Sequence, residues 1–440
     1  MSAWRYRQVV LLRSDLVLLL FLAEGCGTPT ASAGQSQYAS AYLEQLQRDA
    51  RDRLPSGALP RSMRVSLECT TVDAERRNRE IIEEMQQKYN LSPETVERLS
   101  RTAQARREAL GTIKLPTHFE ACDLYEVLSY YTRQVRETAR AIMKSTNASA
   151  PEWPLFGTLN SGRVNAQKIP VPNTEPEESI VVFDSGLFAF LNKMSRLMVK
   201  AAPVMSGNSF SVEQQAVRES VASDDDLQIN FVQLLRGYLF AGTVDNVPSN
   251  TFLFDTYGQD AISTALYRVN LEFAVAHEYG HLLEESTEFM SSITVAEAFT
   301  LDPSFRRLHP ESRADVLAAI IVAEAEESKG WNAAALLANI EFYFHCYELL
   351  EKARSVVLLG NETATFDPTY PSAAQRRSTL RHYMHRRWTE GKGVPEANWR
   401  EATRASDEFG GVMTVLWNTA QPILYNAHQN GRRLSGIWIH

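Results

Sequence analysis

The feature that most constrains how this 440-residue chain can fold is a pair of histidines four residues apart, in His277-Glu278-Tyr279-Gly280-His281. They lie in a stretch from about Asp260 to about Glu285. Its apolar residues Ile262, Leu266, Val269, Phe273 and Ala276 recur at three- and four-residue steps, which predicts a helix. An α-helix turns once in about 3.6 residues, so both imidazoles project from one face and can take two corners of a metal tetrahedron. Glu278 stands about 100° around the axis, within reach of water at the metal but off the ligand positions. Ala274-Val275-Ala276 before the pair and Leu282-Leu283 after it are apolar, as a buried helix requires. The composition allows such burial: 44% of residues are hydrophobic and 22% charged, near the globular average.

This is the H-E-x-x-H arrangement of zinc hydrolases, and it implies one zinc ion per chain. A catalytic zinc needs a third protein ligand and an open position. The metzincin continuation fails, because Glu284 stands at its glycine and Thr287 at its third histidine. Glu311-Ser312-Arg313-Ala314-Asp315 offers a better partner on a second apolar helix, from about Glu311 to about Glu326. Glu311 can supply the third ligand. Asp315, one turn later, can accept the outer ring proton of a ligand histidine. The small Ala314 lets the two helices approach closely. His309, two residues before Glu311, is a rival third ligand from the loop entering that helix.

With Glu311 and Asp315 in place, the chain resembles the gluzincin peptidases. Among them it is most similar to the group of the CaaX prenyl protease, the heat-shock membrane protease HtpX and their periplasmic relatives, which join HExxH to E-x-x-A-D. Looser similarity lies at Asn165-Ala166, at Ile180 to Leu187, and at Tyr370-Pro371 with Arg376 and Leu380, so that it spans roughly residues 155–385. The resemblance implies a mainly α fold with a small antiparallel sheet (α+β) around a zincin-like metallopeptidase core. It also implies a zinc-dependent endopeptidase acting on a protein or peptide substrate. His277, His281 and Glu311 would hold zinc, and Glu278 would be the general base. The strand Ser179 to Asp184 would edge the cleft and pair with extended substrate. Tyr370 stands where the group has histidine. Arg376 and Tyr370 are candidates for substrate or transition-state contact; His382 and His385 are further candidates, or else part of a solvated face rich in Arg and His. Three alternatives remain open: a regulatory protease acting on one partner, like the phage-exclusion protease Lit; a non-catalytic zincin-fold lipoprotein; and a structural zinc site with His309 as fourth ligand.

The remainder of the chain bears on compartment and domains. Arg5, Arg7 and Arg13 precede the apolar run Leu16 to Ala23, and Gly25-Cys26-Gly27 follows. Residues 1–25 read as a secretory signal, and Cys26 resembles a lipobox cysteine, although Asp15 and Glu24 depart from the pattern. A buried first helix or a misassigned start is the alternative. The expected location is secreted or periplasmic, either free or lipid-anchored to a bacterial membrane through Cys26. Residues 26–40 read as a tether, 41–150 as a helical N-terminal region with a new helix starting at Ser92-Pro93, and 151–440 as the metallopeptidase domain. Residues 146–179, rich in Pro, Asn, Ser and Gly, predict irregular turns. Cys69 and Cys122 can pair in an oxidising compartment or remain thiols. A net charge of -8 without a basic stripe argues against nucleic acid as a partner.

Overall fold

The computed structural model describes residues 37–52, 68–69, 71–110, 113–120, 122–144, 152–174, 178–202, 214–244, 247, 252, 254–297, 301–363 and 369–435. The expected signal over residues 1–25 and Cys26 lie outside them. The fold is mainly helical with a small mixed three-stranded sheet. In chain order the described elements begin with α1 (Gln37–Asp52), the short strand β1 (Glu68–Cys69), α2 (Thr71–Tyr89), α3 (Pro93–Leu110), β2 (Ile113–Lys114) and α4 (Cys122–Lys144). The sheet strands β3 (Leu155–Leu159), β4 (Ala166–Pro170) and β5 (Ser179–Asp184) follow, then α5 (Ser185–Ala201), α6 (Gln214–Ser223) and α7 (Asp225–Arg236). The last helices are α8 (Tyr257–Glu285), α9 (Thr287–Ala296), α10 (Pro310–Ser328), α11 (Ala333–Leu359), α12 (Ala373–Arg386) and α13 (Glu396–Gln429).

Strand β5 has the predicted bounds but not the expected place. It is the central strand of the order β3-β5-β4, parallel to β3 and antiparallel to β4, so the sheet is mixed rather than antiparallel and β5 has no free edge. The reason lies in its composition. Ile180 and Val182 face a small cluster with Leu43, Leu155, Leu159 and Val171, while Val181 and Phe183 face the main core. A strand apolar on both faces suits a sheet interior, not an edge. Strands β3 and β4 fall in the stretch expected to be irregular. Leu155-Phe156-Gly157-Thr158-Leu159 has an interior glycine and Ala166-Gln167-Lys168-Ile169-Pro170 ends in proline, so pairing to β5, not local propensity, makes them strands.

Helix α1 begins at Gln37, inside the expected tether, and lays Ala39 and Leu43 on the sheet. Gln47 Nε2 donates to Glu120 Oε1 (2.7 Å) and to the Thr158 carbonyl (2.8 Å), while Thr158 N donates to Glu120 Oε1 (2.9 Å). Helix α4, also upstream of residue 150, packs on α8, α9 and α10, with Tyr125, Leu128, Val135 and Met143 in the main core. Gln134 on α4 donates to Glu272 on α8 (2.7 Å), and Arg268 of α8 donates to Glu326 of α10 (2.5 Å). Cys122 is disulfide-bonded and Cys346 is a buried free thiol. Among the described residues, no helix is long and apolar enough to cross a membrane.

The buried acids of this framework set a pH trend. Burial pushes the Glu120 carboxyl from 4.5 up to about 7 against hydrogen bonds from Thr158 and Gln47, and lifts Asp184 to about 6 against the Ser161 hydroxyl. A carboxyl whose pKa rises on folding binds its proton more tightly in the folded state. Its contribution is therefore full below the ordinary carboxyl pKa and is lost as pH rises through the folded value. The melting temperature should fall between about pH 4 and pH 7. Glu120→Gln, followed by thermal melts across that range, should flatten the fall; an unchanged slope excludes Glu120 as its source.

Candidate metal centre

Helix α8 starts at a capping box in which Gln259 N donates to Thr256 Oγ1 (3.3 Å) and Thr256 N donates to Gln259 Oε1 (3.3 Å). The reciprocal bonds satisfy two free donors of the helix start. Leu271, Phe273, Ala274, Val275 and Ala276 are all buried, so the helix is threaded through the core rather than laid on its surface. His277 and Glu278 are consequently only 5% exposed each.

Helix α10 packs against α8 where both side chains are small. A Cβ built on Gly280 would lie 2.9 Å from the Ala314 carbonyl oxygen and 3.1 Å from its Cα. Any side chain at Gly280 forces the helices apart and carries Glu311 away from the histidines. At the start of α10, His309 Nδ1 accepts from Glu311 N (3.2 Å) and Pro310 occupies the first helical position. His309, the rival ligand, is thus a helix cap.

The cap turns Glu311 toward α8. Its Oε2 lies 3.4 Å from His277 Nε2 and its Oε1 lies 3.4 Å from His281 Nε2. Two ligand atoms about 2.0–2.1 Å from a zinc ion at the tetrahedral angle stand about 3.4 Å apart; each contact, made by a different carboxylate oxygen, has that spacing, and one ligand atom from each of the three side chains lies within 4.8 Å of the others. The donor set, two neutral imidazoles and a carboxylate, suits zinc chemically. Among the described residues, His277, His281 and Glu311 form the one group of three such side chains close enough to share an ion.

Asp315 stands one turn after Glu311, with Oδ1 2.9 Å from His277 Nδ1 but oblique to the ring's N–H direction. Its two oxygens accept from Arg376 Nε and Nη2, both at 2.7 Å. Burial alone raises the Asp315 carboxyl, but Arg376 and His277 outweigh it and hold the group below its ordinary value. Burial likewise raises Glu278, with His277 and His281 opposing and burial prevailing.

Of the residues expected to touch substrate, Arg376 is committed to Asp315, behind the ligands. Its Nη1 lies 3.3 Å from Glu311 Oε2 and donates to the Tyr370 hydroxyl at 3.3 Å. Tyr370 is 44% exposed, so its ring sits at the rim while its hydroxyl turns inward. His382 and His385 are engaged elsewhere. His385 Nε2 lies 3.0 Å from Glu396 Oε2, and His382 is exposed on α12 beside the Tyr383 ring.

Sequence reasoning missed Glu284 and Gly280. Glu284 entered only as the residue that breaks the metzincin pattern, yet it stands beside His281 and pairs with Arg313 of α10. The available signal was its spacing of three residues from His281, which places it on the same side of the helix. Compared with protein-family models, with curated proteins and with solved structures, the chain matches none.

Proposed function

We propose that this chain is a zinc-dependent endopeptidase of gluzincin type, built on a zincin-like core of α8, α10 and the small sheet. The observation that carries the reading is the spacing of three donors on two helices: Glu311 at 3.4 Å from both His277 Nε2 and His281 Nε2, with Glu278 buried beside them. Zinc, when bound, supplies a Lewis acid that makes water nucleophilic near neutral pH and polarises a carbonyl.

The protein groups do the rest. Glu278 accepts the proton of the attacking water and returns it to the leaving amine; burial, by lifting its pKa, suits a base that must also act as an acid. Asp315, 2.9 Å from His277 Nδ1, would accept a hydrogen bond from that nitrogen once the ring turns onto the metal, which leaves the Nε2 lone pair for the metal. Arg376 fixes Asp315 and lends positive charge beside Glu311. Tyr370, whose ring lies at the rim and whose hydroxyl turns inward beside Arg376, is the group best situated to donate to a developing oxyanion.

An extended peptide would pair with β4, not β5. Strand β4 is an outer strand of its sheet and packs on α8, and its Lys168 Nζ lies 2.5 Å from Glu285 Oε2 at the end of α8. An outer strand offers unpaired backbone groups for strand addition, which favours unfolded or extended substrates. The disulfide at Cys122 supports a secreted or periplasmic location, where such bonds persist. Cys26 would supply the lipid anchor to a bacterial membrane.

The test is metal analysis with activity. Purified protein should carry about one zinc per chain, lose it to a chelator together with hydrolysis of an unfolded polypeptide, and regain both on adding zinc. Protein that binds no zinc refutes the reading.

A further inference from the structure

Two carboxylate–arginine pairs flank the candidate metal centre, one for each histidine. The first is Asp315 with Arg376, at Nδ1 of His277. The second is Glu284 with Arg313. Glu284 Oε1 lies 3.8 Å from His281 Nδ1, and Glu284 Oε2 accepts from Arg313 Nε at 2.8 Å. Arg313 Nη1 in turn donates to the Leu308 carbonyl at 2.6 Å, in the turn that precedes the His309 cap. The Glu284 side chain is 12% exposed and that of Arg313 24%, so this is not a solvated surface pair.

We propose that Glu284 and Arg313 are a positioning pair for His281, holding its Nδ1 proton so that Nε2 is the metal-binding nitrogen. The inference rests on the zinc reading above. A neutral imidazole carries one proton, and the partner of one ring nitrogen determines whether the other has a free lone pair. A carboxylate at Nδ1 selects the tautomer a ligand needs and raises its basicity. At 3.8 Å the contact is longer than a hydrogen bond. A small rotation of the Glu284 carboxylate or of the imidazole, as His281 turns onto the metal, closes it. Arg313 limits that rotation by holding the other carboxylate oxygen. Because Arg313 follows Glu311 by two residues and grips Leu308, the pair also ties His281 on α8 to the turn that aims Glu311. Three ligands on two helices are thereby held in one register.

The test is zinc affinity of the purified full chain by chelator competition, with cobalt substitution as a second readout. Glu284→Ala should bind zinc about 10- to 100-fold more weakly than wild type. At saturating cobalt its visible absorption bands should shift, which reports the ligands of the bound metal rather than the stability of the fold. Glu284→Gln keeps an acceptor oxygen and should restore the bands toward wild type, with an affinity loss of about threefold or more. Should Glu284→Ala fail to fold, Glu284→Gln decides, since it fills the same volume: unchanged affinity overturns the proposal. Zinc affinity and cobalt bands of Glu284→Ala equal to wild type also overturn it, and leave the zinc reading intact. Wild-type protein that binds no zinc overturns both.

Discussion

Glu278→Gln is expected to hold zinc as wild type does and to hydrolyse peptides about 10²- to 10⁴-fold more slowly. The substitution replaces a proton acceptor with an amide of the same shape. His277, His281 and Glu311 remain, so metal content should not change. The environment of Glu278 makes the expectation specific. The side chain is 5% exposed and lies one residue from His277, so bulk water cannot easily take over its role. Parallel metal analysis and single-turnover hydrolysis of an unfolded polypeptide check it. A variant with full zinc and near wild-type rates would remove Glu278 from the chemistry. A variant without zinc would mean that the carboxylate serves the metal site itself.

Arg376→Ala should have the largest effect on stability. Asp315 is fully buried, and both its oxygens accept from Arg376 at 2.7 Å. Removing one partner of a buried pair leaves an uncompensated charge and costs about 3–5 kcal/mol. The measurement is denaturant unfolding of the metal-free variant and wild type near pH 7. The sign of the pH dependence gives a further check. Arg376 and His277 hold the Asp315 carboxyl below its ordinary value. The stability that this provides is present above the ordinary carboxylate range and is lost as pH falls through the folded value. The gap between wild type and Arg376→Ala should therefore narrow in acid. A loss under about 1 kcal/mol near pH 7 would show that Asp315 does not depend on Arg376.

The helices of the candidate site were legible in the sequence because they rest on local periodicity. The spans expected from about Asp260 to Glu285 and from about Glu311 to Glu326 match α8 and α10 closely. The sheet was less legible. The bounds of β5 follow from Ile180-Val181-Val182-Phe183, but its neighbours are poor strand formers and depend on β5 for their conformation. The apolar run that the family resemblance placed at a cleft edge instead required burial on both faces. Arg376 stands out in the sequence as a candidate, but its turn toward Asp315, behind the ligands, does not, because spacing does not say which way a guanidinium points. The pairing of Glu284 with Arg313 joins residues 29 apart on two helices, and no local pattern announces it.

By itself the sequence determined the identity of the candidate donors. Two histidines on one helical face, a glutamate between them, and a second Glu–Asp pair one turn apart are consequences of the 3.6-residue repeat, which holds wherever the helices lie. Only the tertiary structure decided how those two faces meet. Gly280 against Ala314 sets the separation of the helices, the His309 cap turns Glu311 inward, and Arg376 and Arg313 hold the carboxylates behind the histidines. Those contacts join residues far apart in sequence through close packing and buried charge. They therefore exist only once the chain has folded around them.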